Sequence, residues 1–249
     1  MSIESSADWD GLRAVSAVVS QTLGLLTRSV EPGITTADLD RIAARFLQSH
    51  GARSAPADVY GFPGTVLISV NEEIVHGVPG KRVIAAGDVV SLDVTVELGG
   101  YVSDAARTVV VPGGTPAAHA LTACAQSAFE KGLAVATAGR RVNEIGRAVS
   151  SEVRRRGFSV VKGLCGHGVG RTIHEPPTVS NEWDPGERAM LTEGLVITIE
   201  PMVSAGSAWP VEEKDGWTLR TRDRSLAAHY EDTLVITSGL PLILTRDAP

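Results

Sequence analysis

The feature that most constrains this chain is a repeat written in glycines and acids. Gly33 and Gly51 stand eighteen residues apart, as do Gly139 and Gly157, and each pair encloses a helix-like stretch. Gly87 stands six residues before Asp93, and Gly194 six residues before Glu200. The offset between the halves is 106 residues from Gly33 to Gly139 and 107 from Gly87 to Gly194. A single matched interval would be ordinary helix–glycine punctuation. Two intervals at nearly one offset, with an acid at the same place in each, favour duplication. The expected fold is α+β: two helix–helix–hairpin halves, about 1–111 and 117–249, packed about a pseudo-twofold axis around a central antiparallel sheet. Together they form one domain, 1–249, with acids from both halves meeting between them.

The local signals fit those units. Ser6 or Asp8 is expected to cap a first helix whose Leu12, Val15, Val18, Val19, Leu23 and Leu26 recur at three- and four-residue steps. Thr35 with Asp38 resembles a capping box, and Gly51 ends the second helix. Pro56 to Gly64 reads as a loop, followed by a short strand at 66–70. Residues 89–97 alternate, with Ser91, Asp93 and Thr95 opposite Val90, Leu92, Val94 and Val96. Gly99-Gly100 turns the chain back through 101–111, which carries Asp104. PGGTP at 112–116 is a linker. Helices at 117–137 and 142–156, a strand at 195–199 ending in Glu200, and a last hairpin at 217–236 complete the second half.

Composition excludes several classes of function. A net charge of −6 argues against nucleic acid or an anionic membrane as the main partner. Cys124 and Cys165 make no disulfide framework. The N-terminal residues show no secretory signal, and no apolar run approaches the roughly 20 residues of a membrane span. A reduced, cytoplasmic location is expected.

Chemistry concentrates in Gly163 to Pro177, GLCGHGVGRTIHEPP. The glycines around His167 do not have GxGxxG spacing, and no helix follows to receive a phosphate. Backbone there is expected to pass close to something, with His167 binding a metal and His174 nearby. Asp93 and Asp104 on neighbouring strands are expected to face one another, with Glu200 and Glu231 on the matching strands of the second half. Each acid alone would pass as a solvated strand residue. Four on matched strands beside a glycine-boxed histidine would repel unless neutralised, and two divalent ions supply the counter-charge. Carboxylates with an imidazole suit Mn, Fe, Co or Zn. Such a pair acidifies a bridging water, leaving His76 and His174 to bind substrate or stabilise charge on a reacting carbonyl.

NEEIVHGVP, LDVTVELGGYVSDAART, GHGVGRTIHEPP, TIEPM and DGWTLRTRDRSLAAHYEDT, in that order, resemble the signature segments of the type I methionine aminopeptidases, M24 metallopeptidases of the pita-bread fold. The resemblance runs from the first helix to Ile236. It implies a dinuclear site with Asp93, Asp104 and Glu231 on one ion and Asp104, His167, Glu200 and Glu231 on the other, the ions being Co, Mn, Fe or Zn. Glu200 would shuttle a proton, His174 would contact the scissile carbonyl and His76 the peptide beyond it. The pocket for the methionine side chain would be lined by Val59, Phe62, Leu67, Ile173 and Trp217, with His76 and His174 at its mouth. The reaction implied is excision of the initiator methionine from nascent chains with a small second residue, by a hydroxide activated between the two ions. Its partners would be nascent N-termini met transiently at the ribosome, and the chain a monomer.

Several positions depart from the type I pattern. Phe62 stands where tyrosine is common, Leu67 where a small residue is, Ile173 where phenylalanine is, and Asp232 where histidine follows the last glutamate. Strand alternation turns Asp232 away from the metals. The rival enzyme is a prolidase or aminopeptidase P, which shares fold and ligands and usually carries an extra N-terminal domain. The rival of another class is a binding module of this fold, which typically has lost ligands that stand here.

Overall fold

The computed structural model describes residues 1–246. Five helices form, α1 (Ser6–Ser29), α2 (Thr36–Ser49), α3 (Ala55–Tyr60), α4 (Pro116–Leu133) and α5 (Asn143–Arg155). The strands that carry the site are β1 (Leu67–Val70), β2 (Val89–Leu98), β3 (Tyr101–Val110), β4 (Cys165–Gly168), β5 (Glu175–Ser180), β6 (Val196–Ile199) and β7 (Glu231–Val235). They belong to one antiparallel sheet in the order β2-β3-β7-β6-β4-β5, with β1 paired along the outer edge of β2.

That order is the predicted pseudo-twofold arrangement: β3 meets β7 at the centre, flanked by β2 and β6. The duplication extends to single hydrogen bonds. Gly33 N donates to Ile84 O and Gly139 N to Leu191 O, both at 2.8 Å. The isolated bridges Thr35–Val83 and Arg141–Met190 are related in the same way. Gly87 and Gly194, which open β2 and lead into β6, take matching φ values of 87° and 81°, a left-handed conformation that favours glycine. Each half keeps its own apolar core. One is built on Leu12, Val19, Leu39 and Leu92, the other on Leu121, Phe129, Ile145 and Ile197. Each fully buried leucine or isoleucine stabilises by about 1.5–3 kcal/mol over an exposed one.

Three local expectations are corrected. The cap of α1 is Ser5, whose Oγ accepts from Asp8 N at 3.1 Å, because a cap must sit three residues before the amide it satisfies. The stretch expected as a loop from Pro56 to Gly64 begins with α3, capped by Ser54 and started by Pro56 in its first turn, where no amide is needed. Residues 217–236 do not form a hairpin. Leu219–Thr221 pairs with Glu73–Val75 and Pro210–Glu212, Ala227–His229 pairs with Met202–Ser204, and β7 joins the central sheet. Trp217 and Glu231 are thereby both brought to the lining of one cavity.

Candidate active site

The four acids converge on the face of the sheet between the halves. Register puts Ala106 of β3 between Asp93 of β2 and Glu231 of β7 in one row. Asp104 sits opposite Thr95, so Asp93 and Asp104 are diagonal neighbours rather than the facing pair expected, one pleat repeat apart. Glu200 follows the last residue of β6, and His167 comes from β4 beside it. His167 Nε2 lies 3.4 Å from Glu200 Oε1. Asp104, His167 and Glu231 each present one ligating atom within 4.8 Å of the others.

The GHG backbone is glycine because there is no room for anything else. A Cβ at Gly166 would stand 2.6 Å from Thr198 O, and one at Gly168 2.3 Å from Pro176 O. That close approach lets the Thr198 hydroxyl accept from His167 N at 3.1 Å and donate to Glu200 Oε1 at 2.8 Å. One buried side chain therefore sets both the strand bearing His167 and the carboxylate of Glu200. His167 Nδ1 donates to Gly168 O at 2.9 Å, which directs the lone pair of Nε2 into the cluster. Beyond it, Glu175 accepts from Arg171 N and Thr172 N and closes the loop that presents His174. Arg171 in turn donates to Asp8 Oδ1 at 2.6 Å, tying this loop to the start of α1.

Burial raises the pKa of all four carboxylates, Asp104 to about 6, and repulsion by neighbouring carboxylates adds to the effect at Asp93, Glu200 and Glu231. Burial depresses the histidines, His167 to about 4, with the neighbouring His174 adding to the effect. His76 and His174 are lowered by burial as well. Asp93 Oδ1, Asp104 Oδ1 and Glu231 Oε1 are buried without a hydrogen-bond partner. A cluster of acceptors with no donors and a neutral imidazole fits divalent cations, which satisfy oxygen and nitrogen lone pairs and offset the charge.

Two lobes open from this cluster. An inner cavity of about 130 Å³ is lined by Phe62, Leu67, Ile173 and Trp217, with His76 and His174 at its mouth. Phe62 and Trp217 meet edge to face, ring centroids 5.2 Å apart. An outer groove of about 440 Å³ runs past His76, His174 and Gly163–His167. His76 reaches both lobes from a backbone at φ 61°, an uncommon conformation outside glycine.

Of the pocket residues expected from sequence, Val59 is the exception. It is 60% exposed and lies outside the cavity, while Pro56 and Tyr60 line it. The cause is α3: residues four apart share a helix face, so Pro56 and Tyr60 turn inward together and Val59 turns out. Tyr60 Oη lies 2.6 Å from His174 Nδ1, a partner the sequence reading missed. His229 was missed too. It is 1% exposed, with Nε2 3.7 Å from Glu231 Oε2 and 3.8 Å from Glu200 Oε2. Its position two residues before Glu231 was the available signal. Asp232 points away as expected, accepting from Arg107 at 2.6 Å, Thr245 at 2.8 Å and Arg246 at 2.9 Å.

Comparison with known proteins agrees with this geometry. The model of metallopeptidase family M24 matches residues 10–238. The "Methionine aminopeptidase 2" of Bacillus subtilis is 43% identical over 99% of this chain and all of its own length. The crystal structure of methionine aminopeptidase from Rickettsia prowazekii superposes with a TM-score of 0.94 at 34% identity, covering 98% of this chain and 100% of that one. A prolidase from Pyrococcus furiosus shares the fold at a TM-score of 0.80 and 20% identity, and this chain spans 66% of it. By full-length likeness and by its cluster of buried acids and histidine, this chain belongs to metallopeptidase family M24 and, within it, to the methionine aminopeptidases.

Proposed function

We propose that this protein removes the initiator methionine from polypeptides whose second residue is small, working as one metallopeptidase domain with halves of about 1–111 and 117–249. The observation that carries this reading is a cavity of about 130 Å³ whose walls join the apolar side chains of Phe62, Leu67, Ile173 and Trp217 to the acid–histidine cluster. An unbranched apolar side chain in that cavity puts the peptide bond that follows it beside Glu200 and His174.

Asp93, Asp104 and Glu231 would hold one divalent ion, and Asp104, His167, Glu200 and Glu231 the other, with Asp104 and Glu231 shared. Once bound, Co, Mn, Fe or Zn supplies water activation near neutral pH and charge neutralisation. The protein's own groups do the rest. Glu200 takes a proton from the attacking water and delivers it to the leaving amine as the carbon–nitrogen bond breaks. With the Tyr60 hydroxyl, 2.6 Å from His174 Nδ1, as the donor of that hydrogen bond, Nε2 carries the proton and donates to the oxyanion forming on the scissile carbonyl. His76, at the junction of the two lobes, binds the peptide beyond. Phe62, Leu67, Ile173 and Trp217 exclude water from the methionine side chain.

Among the described residues no helix is long and apolar enough to cross a membrane. We propose further that it acts as a monomer on nascent chains in the cytoplasm, transiently at the ribosome; two free cysteines fit a reducing compartment. The test is hydrolysis of Met-Ala-Ser and Ala-Pro-Ala by chelator-stripped protein resupplied with Mn or Co. Metal-dependent release of methionine alone is expected. Cleavage of the proline peptide instead would move the chain to the aminopeptidase P activity, and cleavage of neither would leave a binding module.

A further inference from the structure

His229 enters the site from Ala227–His229, the short strand just before β7. Strand alternation puts it on the same face as Glu231. Its backbone is pinned from both sides by Thr108, whose hydroxyl donates to His229 O at 2.7 Å and accepts from His229 N at 2.9 Å. The ring is 1% exposed, and neither Nδ1 nor Nε2 has a hydrogen-bond partner. A buried imidazole with both nitrogens unpaired is costly, and such groups in native proteins usually have a function.

Nε2 stands 3.7 Å from a carboxylate oxygen of Glu231 and 3.8 Å from one of Glu200. These are too long for hydrogen bonds. The Glu231 separation suits two ligands of a common ion, since two atoms each about 2.1 Å from one zinc at a tetrahedral angle stand roughly 3.4 Å apart. Asp93, His229 and Glu231 each offer one ligating atom within 4.8 Å of the others, as Asp104, His167 and Glu231 do. The two trios share Glu231, and each contains one histidine.

We propose that His229 coordinates the divalent ion held by Asp93, Asp104 and Glu231, giving both ions of the pair a nitrogen ligand. The inference rests on the dinuclear reading above and adds a sixth protein ligand to it. An imidazole in an otherwise all-oxygen site favours the borderline ions Fe, Co and Zn over Mg and Mn. His229 thus becomes the residue that biases this second position in its choice of metal.

The test is zinc-edge X-ray absorption on the full chain loaded with two equivalents of zinc, with bound zinc counted independently. Two imidazoles for two ions are expected, averaging roughly one Zn–N(imidazole) distance of about 2.0–2.1 Å per zinc. His229→Gln and His167→Gln should each halve that number. In calorimetry His229→Gln should weaken the second equivalent of zinc by about tenfold or more, and the second equivalent of manganese less. Two bound zincs with only one imidazole between them in the unmodified protein would overturn the assignment and leave the dinuclear reading standing. Fewer than two bound zincs would overturn both. The count in the unmodified protein decides the matter even if a variant folds poorly.

Discussion

Thr198 is the point at which removal of one oxygen atom should disturb the whole site. Its hydroxyl is fully buried, accepts from His167 N and donates to Glu200 Oε1. Thr198→Val keeps the shape and the β-branched fit to β6 but leaves a buried amide and a buried carboxylate oxygen without partners. A lost neutral hydrogen bond costs about 0.5–1.5 kcal/mol and one to a charged group about 1.5–3 kcal/mol, so the metal-free protein should lose about 2–4 kcal/mol. For a chain of this size each kcal/mol moves Tm by roughly 2–4 °C, which predicts a fall of about 5–15 °C. Because the same hydroxyl orients a ligating carboxylate, zinc or cobalt affinity should fall by about 10–100-fold, as for other outer partners of metal ligands. Thr198→Ser retains the hydroxyl and should recover most of both losses. The assays are differential scanning calorimetry of the chelated protein and calorimetric metal titration. If Thr198→Val matches the parent in melting temperature and in metal affinity within twofold, the hydroxyl does not couple β4 to Glu200.

Three further outcomes follow from the same geometry. His174→Ala should lower turnover by about 10²-fold or more, the usual size for a lost oxyanion donor, with metal content intact by elemental analysis; an unchanged rate would make His174 structural. The metal-free protein should lose stability as pH rises through the raised pKa values of the site carboxylates, Asp104's being about 6. The site carboxylates have folded pKa values above their unfolded ones, so the native state holds protons that the unfolded chain releases, whereas the depressed histidines are already neutral in both states above about 6.5. Metal removes that penalty, and the gap between chelated and loaded melting temperatures should widen over this range; a constant gap would show that the carboxylates are not strained by their neighbours. Asp232→Ala should cost about 3 kcal/mol in denaturant unfolding, near the low end for breaking a buried pair because Arg246 is more than a third exposed. It should leave metal stoichiometry unchanged, and loss of a bound ion would refute the outward orientation of Asp232.

The sequence alone determined the parts set by local chemistry and by periodicity. Alternation in 89–97 placed Asp93 on the polar face of β2, and paired glycines at matched offsets announced two halves whose β3 and β7 meet at the centre. Asp93, Asp104, His167, Glu200 and Glu231 were legible because acids on otherwise apolar strands, and a histidine between glycines, are costly without a purpose. Only the tertiary structure decided the rest. Register made Asp93 and Asp104 diagonal rather than facing, because it depends on where the Gly99-Gly100 turn falls rather than on which residues alternate. One helical turn swapped Val59 for Tyr60 at the cavity, since a Pro-containing stretch with a serine cap folds where punctuation suggested a loop. Thr198 and His229 became visible only when β6, β4 and the strand before β7 were brought together. A threonine in a strand is ordinary until the fold sets it between two ligand-bearing segments, and a histidine until the fold leaves both its ring nitrogens without a hydrogen-bond partner.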